Sequence, residues 1–239
     1  MTTDARTEQA AILVKAAEYL NWLKDEGLTH VEVSRMVPEK SRITTIRQPR
    51  GLAVIAAEIA KCEKCGLHGT RTKTVPGQGI PTPEIMFVGE APGADEDEQG
   101  LAFVGAAGKL LTKMIEAMGL RREDVFIANI LKCRPPNNRP PTPEEMQTCM
   151  PYLKEQIQVL KPKVIVALGA TAVRGLLAVE TGITKLRGHW HVFEGIDVMP
   201  TFHPAYLLRN PPAKKEAWED LKAVLRHVGR TPPVVKKGG

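Results

Sequence analysis

Four short apolar runs, separated by stretches of helical pattern, constrain this chain more than any other feature. IMFVG at 85–89, VFIANIL at 125–131 and VIVALG at 164–169 are too short for ordinary helices and too uniformly apolar for strands with one wet face; IDVMPTFHP at 196–204 adds a fourth run ending in a His-Pro corner. Strands buried on both faces of a parallel sheet read in this way, because crossover helices cover both sides. The intervening segments supply those helices: residues 105–120, a run toward Leu160, ATAVRGLLAV, and KEAWEDLKAVLRHV at 215–228. The third-to-last of them opens on TPEE, with Thr142 as cap, Pro143 at the first helical position and Glu145 completing a capping box. The alternation predicts a three-layer α/β/α sandwich around a central, mostly parallel four-stranded sheet. Ligands of such sheets gather beyond the C-terminal strand ends, which puts Glu90, Asn129 and His203 in the candidate region.

Upstream, residues 7–27 carry apolar residues at helical spacing and stop at Gly27, while the stretch from Val37 to Arg50 is polar and basic. The expected organisation is an N-terminal helical extension and linker over 1–50, one main domain over 51–229 and a basic tail over 230–239. A second helical run, LAVIAAEIAKC, delivers Cys62. There is no internal repeat. No apolar run approaches a membrane span and the N-terminus lacks a secretory core, so the expectation is a cytoplasmic protein, with no membrane partner. The formal net charge of +6 favours a polyanionic partner such as nucleic acid.

In a reducing compartment the 4 cysteines, Cys62, Cys65, Cys133 and Cys149, do not read as disulfides. The C-x2-C spacing of the first pair suits two ligands of one metal centre, with the others brought in by the fold. Thiolates serve zinc and iron-sulfur clusters alike, and ordinary buried thiols are the alternative. The loop GEAPGADEDEQGLAFVG poses a different question, since it gathers Glu90, Asp95, Glu96, Asp97 and Glu98 beside glycines in a basic chain. It is neither a P-loop, for no G-x-x-x-x-G-K-[ST] occurs, nor a G-x-G-x-x-G fingerprint. Asn129 within an apolar strand demands a partner, either a structural hydrogen bond or a ligand. Phe103 reads as core or as a stacking face, and His203 as a turn histidine or a donor.

Taken in order, GEAPG and FVG with the intervening acids, NILKCRPPNNRPPTPEE, TFHPAYLLRNP and the cysteines resemble the type 4 uracil-DNA glycosylases, the iron-sulfur class, over about residues 52–227. The resemblance implies a DNA repair glycosylase that flips uracil out of single- or double-stranded DNA, hydrolyses its N-glycosidic bond and releases free uracil, acting as a monomer. It assigns Cys62, Cys65, Cys133 and Cys149 to a [4Fe-4S] cluster. It implies that Phe103 stacks on the base, Asn129 reads its Watson-Crick edge, His203 lies near O2, and Glu90, Ala91 and Glu96 line the pocket. His203, Glu90 and Glu96 are then the candidate catalytic groups. Arg134, Arg139, Tyr206, Leu207 and Arg209 are the candidate DNA contacts, with Leu207 or Leu208 as a wedge.

Three departures bear on that reading. Ala91 stands where type 1 enzymes carry an aspartate, so water activation falls to another group. Leu101 and Ala102 replace the Arg-Pro common in the family. KCRPPNNRPP stands where covalently trapping relatives carry an Arg-rich insertion ending in His, so turnover without a stable adduct is expected. The competing functions are a non-catalytic DNA-binding module stapled by a metal centre and a glycosylase of broader base range.

Overall fold

The computed structural model describes residues 51–233. The expected helix over 7–27, the linker to Arg50 and the end of the basic tail lie outside them. Eight α-helices and a 6-stranded sheet make up the described part. The strands are β1 (Gln78–Gly79), β2 (Ile85–Gly89), β3 (Phe126–Asn129), β4 (Val164–Leu168), β5 (His191–Phe193) and β6 (Ile196–Thr201), in the order β1-β3-β2-β4-β6-β5. The central four, β3-β2-β4-β6, are parallel as the apolar runs predict. The sheet is wider than the expected four strands, because β1 and β5 add antiparallel edges.

The helices are α1 (Leu52–Ala60), α2 (Ala94–Gln99), α3 (Ala106–Ala117), α4 (Pro143–Leu160), α5 (Gly169–Leu177), α6 (Ile183–Leu186), α7 (Pro204–Arg209) and α8 (Lys214–His227). Every residue of β2, β3 and β4 is buried, and alternate side chains enter opposite layers. Met86, Val88, Ile165 and Ala167 join Ile55, Ile59, Leu153, Ile157 and Val173, so α1, α4 and α5 cover one face. Ile85, Phe87, Val164, Val166 and Leu168 join Leu111, Ile115, Leu221, Val224 and Leu225, so α3 and α8 cover the other. The three-layer sandwich follows from that alternation.

Two local features shape the site. The fourth apolar run ends as a strand at Thr201, and His203 then caps α7, with Pro204 at its first position. Pro200 is tolerated in β6 because β5 pairs only as far as Val198, so the missing N–H faces no neighbouring strand. The acidic run 94–99 forms α2, with Asp95, Glu96 and Asp97 in its first turn, where the helix dipole favours negative charge, and with Gly100 in the left-handed region at its end. Asp97 is buried and accepts from the backbone N–H of Thr72 at 3.0 Å, which ties the acid run to the loop after the cysteine pair.

Candidate active site and four-cysteine centre

At the C-terminal ends of β2, β3 and β6 lies a pocket of about 540 Å³ lined by Glu90, Ala91, Glu96, Phe103, Asn129 and His203. The six residues expected to surround a base therefore share one cavity, at the point where the chain leaves β2 first to one side for β3 and later to the other for β4.

Asn129 ends β3 opposite Gly89 and is 1% exposed, and its Oδ1 has no hydrogen-bond partner. A buried amide oxygen without a donor is costly, so the pocket presents an acceptor that a ligand N–H can satisfy. Gly89 makes room for it. A Cβ there would stand 2.4 Å from both Asn129 Oδ1 and Phe103 Cζ. Phe103 itself sits at φ 52, a left-handed conformation that costs a non-glycine residue on the order of 1 kcal/mol or more. Its backbone presses on Gly108, where a Cβ would meet the Phe103 carbonyl oxygen at 1.9 Å. Arg122 holds the preceding residue by donating to the Ala102 carbonyl.

Glu96 is the strut between the two loops. Its Oε1 accepts from the backbone N–H groups of Val104 at 2.8 Å and Gly105 at 2.9 Å, and its Oε2 from Gly93 at 3.0 Å. The carboxylate is thus committed to the scaffold of the pocket, and of the two candidate catalytic acids only Glu90 keeps its carboxylate free of hydrogen bonds and ion pairs among the described residues. Glu90 contributes its backbone carbonyl to Leu131 N–H at 3.0 Å.

His203 completes the ring of groups. Its ring centroid lies 5.7 Å from that of Phe103, tilted by 33°. The backbone N–H of Ala205 donates to His203 Nδ1 at 3.1 Å, so in the neutral ring the proton sits on Nε2. Burial, reinforced by the nearby Arg209 charge and opposed by Glu96, pulls its pKa down to about 4. The imidazole is a neutral N–H donor at physiological pH. Gly169, at φ 86, permits its position, since a Cβ there would stand 2.9 Å from His203 Cβ.

Around the mouth, Arg139, Tyr206 and Arg209 line the pocket, whereas Arg134 is not among the lining residues and donates from Nε to Asn138 Oδ1 at 2.7 Å. Arg139 is not a free cation. It makes a two-pronged contact with Glu145 at 2.9 and 2.6 Å, holding that carboxylate below its usual pKa range. Leu207 is 1% exposed and packs with Phe202, Ala213 and Ala217, so it cannot enter DNA without unpacking α7. Leu208, 44% exposed, is the leucine that faces solvent.

The four cysteines are all free thiols and line one small cavity of about 10 Å³ with Arg71, Lys132 and Tyr152. Cys62 and Cys65 follow α1, Cys133 follows β3, and Cys149 faces inward from α4. Arg71 donates to Cys133 Sγ at 3.3 Å and to the Cys62 carbonyl at 2.7 Å, and the Lys132 backbone N–H donates to Cys149 Sγ at 3.3 Å. Burial raises the pKa of the Cys133 thiol and pushes that of Cys149 up to about 11, so thiolates here require added positive charge. A metal centre held by the four sulfurs would supply it, and the N–H donors of Arg71 and Lys132 already aim at sulfur. Among the described residues no group of three Cys, His, Asp or Glu side chains is arranged to hold a metal ion directly.

Gly108 and Gly169 escaped the sequence reading, hidden among ordinary helix-start glycines. Lys132 opens the KCRPPNNRPP loop, whose cations the sequence assigns to phosphates, but at 1% exposure and with Nζ donating to the Asn129 carbonyl and to Gln156 Oε1 it cannot reach one.

A family model described as the Uracil DNA glycosylase superfamily matches residues 76–222. The chain is 48% identical to the type-4 uracil-DNA glycosylase of Sulfurisphaera tokodaii, over 76% of this chain and 86% of that protein. It is 47% identical to the type-4 enzyme of Archaeoglobus fulgidus over 76% of this chain and 95% of that one, and 45% identical to that of Thermotoga maritima over 79% and 96%. With the matched region carrying the whole pocket and two of its four cysteines, the chain belongs to the uracil DNA glycosylase superfamily, in its type-4 branch.

Proposed function

We propose that the protein is a uracil-DNA glycosylase, which takes a uracil nucleotide out of the DNA stack, hydrolyses its N-glycosidic bond and leaves an abasic site. The observation that carries this is the unpaired, buried Asn129 Oδ1, which shares one pocket with a neutral His203 donor and the Phe103 ring. Uracil presents N3–H to that acceptor and O4 to the other half of the amide. Cytosine presents the reverse pattern, so it leaves both groups unsatisfied.

Bond cleavage builds oxocarbenium character on the sugar and negative charge on the leaving uracil, chiefly at O2. His203 Nε2–H is the preorganised donor for that oxygen; a single donor of this kind contributes about 10²- to 10³-fold. Phe103 stacks on the base. Glu90 orients the water that attacks C1′ and takes its proton, because Glu96 already serves three backbone N–H groups. The bond electrons leave with uracil, which is released free.

Cys62, Cys65, Cys133 and Cys149 hold a [4Fe-4S] cluster. The four thiols share one cavity, as the ligands of a single centre must. The cluster neutralises buried thiolates and staples the segments that carry them. Arg134, Arg139 and Arg209 meet phosphates with Tyr206, and Leu208 rather than Leu207 fills the gap left by the base. The net charge of +6 supports DNA of either strandedness as partner. The protein works as a monomer in the reducing cytoplasm, and among the described residues no helix is long and apolar enough to cross a membrane.

The test is incubation of purified protein with uracil-containing and matched thymine-containing oligonucleotides, single- and double-stranded, with iron and sulfide analysis. Abasic sites at uracil alone are expected. DNA binding without abasic sites points to a non-catalytic module, and cleavage at both bases to a broader glycosylase.

A further inference from the structure

Lys132 is a buried cation with no role in the chemistry above. Its side chain is 1% exposed, and the oxygens that meet it are neutral. An ammonium is seldom buried this completely, since desolvation opposes it unless hydrogen bonds and an opposite charge compensate. Nζ donates to the Asn129 backbone carbonyl at 2.9 Å and to Gln156 Oε1 at 2.7 Å. Gln156 cannot turn away, because its Nε2 donates to the Pro76 carbonyl at 2.6 Å. The backbone N–H of the same lysine donates to Cys149 Sγ at 3.3 Å. One residue thus touches the thiol centre with its main chain and the base-reading residue with its tip.

We propose that Lys132 is a positioning residue that ties the four-cysteine centre to the uracil-reading amide of Asn129, an inference that rests on the uracil-excising function proposed above. The ammonium draws the Asn129 carbonyl toward α4 and so fixes the peptide plane from which the reading side chain projects. Cys149 and Asn129, far apart in sequence, are thereby held in one register. A displacement of about 1 Å at such a group can slow a reaction on the order of a hundredfold.

The experiment uses the full chain with its iron centre. Lys132→Met and Gln156→Met are made in the native background and beside Asn129→Ala. Iron content, melting temperature, duplex affinity and single-turnover excision rate are read for each. Lys132→Met should keep iron and duplex affinity while slowing excision about tenfold or more. Beside Asn129→Ala the same change should alter the rate less than about twofold, because its effect runs through the missing amide. Gln156→Met should show the same pattern at smaller size. Equal slowing in both backgrounds overturns the proposal, and so does unaltered excision. Loss of fold or iron in both variants also overturns it, by assigning the lysine to the scaffold. Failure of the unsubstituted protein to excise uracil overturns the function itself, which separates the two.

Discussion

His203 should stay neutral far below the pH at which histidines ordinarily protonate, and the consequence can be worked out. The folded ring resists protonation down to about 4, chiefly through burial and then through Arg209, against an ordinary value of 6.5. In the unfolded chain the ring takes up its proton near 6.5, so between those values the unfolded state holds more protons than the folded one. Stability from this group is therefore intact above about 6.5 and falls as pH is lowered, by ~3 kcal/mol once pH passes below the folded value. At pH 4.5 the loss already amounts to about 2.5 kcal/mol. Denaturant titrations at neutral pH and at about pH 4.5, for the native protein and His203→Gln, isolate that share as the difference in their pH dependences. The same property fixes the activity profile. Because the neutral Nε2–H donor persists, the single-turnover rate should show no inflection from His203 between about pH 5 and 8, and the ring signal in NMR should not titrate there. His203→Ala should slow excision about 10²- to 10³-fold with DNA binding retained. A ring that titrates near 6.5, or a rate that climbs as acid is added with its midpoint there, would mean that imidazolium is the active form and would refute the argument.

The two pocket acids should separate cleanly. Glu96→Gln should lower the melting temperature through lost backbone contacts, on the order of 1–3 kcal/mol, while Glu90→Gln should leave stability unchanged and slow single-turnover excision roughly 100-fold. Unchanged rates in both would remove carboxylate catalysis from the mechanism. Gly89→Ala should cost on the order of 1–3 kcal/mol by overpacking and abolish base discrimination, since its methyl group would displace both Phe103 and Asn129. Normal uracil excision by that variant would show that the two side chains move without consequence. Stripping iron, or Cys149→Ser, should lower the melting temperature and weaken DNA binding together, read by calorimetry and anisotropy. A metal-free protein with native stability would assign the cysteines to ordinary core.

The central sheet was legible because both-face burial leaves a composition that only parallel inner strands share: IMFVG and VIVALG became β2 and β4 within a residue, while VFIANIL and IDVMPTFHP ran two and three residues past the ends of β3 and β6. The edges were not. β1 has two residues and β5 three, too few for any alternation to show, although Glu194 and Gly195 at φ 50 and 80 make the tight turn that joins β5 to β6. The site residues could be placed at strand ends, but their working state could not. Only the packed structure shows that Glu96 is spent on three N–H groups, that Arg139 already holds Glu145, and that Asn129 Oδ1 waits without a donor. The choice between Leu207 and Leu208 was in principle readable. Once Pro204 opens the helix and turns inward, a residue three positions on shares its buried face, and Leu207 is that residue.

Gly89, Gly108 and Gly169 carry a consequence for anyone who would redesign the protein. The proposed base pocket is sculpted by omission: three places lack a carbon atom, and each gap is filled to contact by Phe103, Asn129 or His203. Mutational libraries aimed at the bottom of the cavity would therefore return mostly dead clones, even for a single added methyl. Room for new specificity lies at the lip instead, where Ala91 and Tyr206 remain accessible and substitutions can trade partners without moving the machinery underneath.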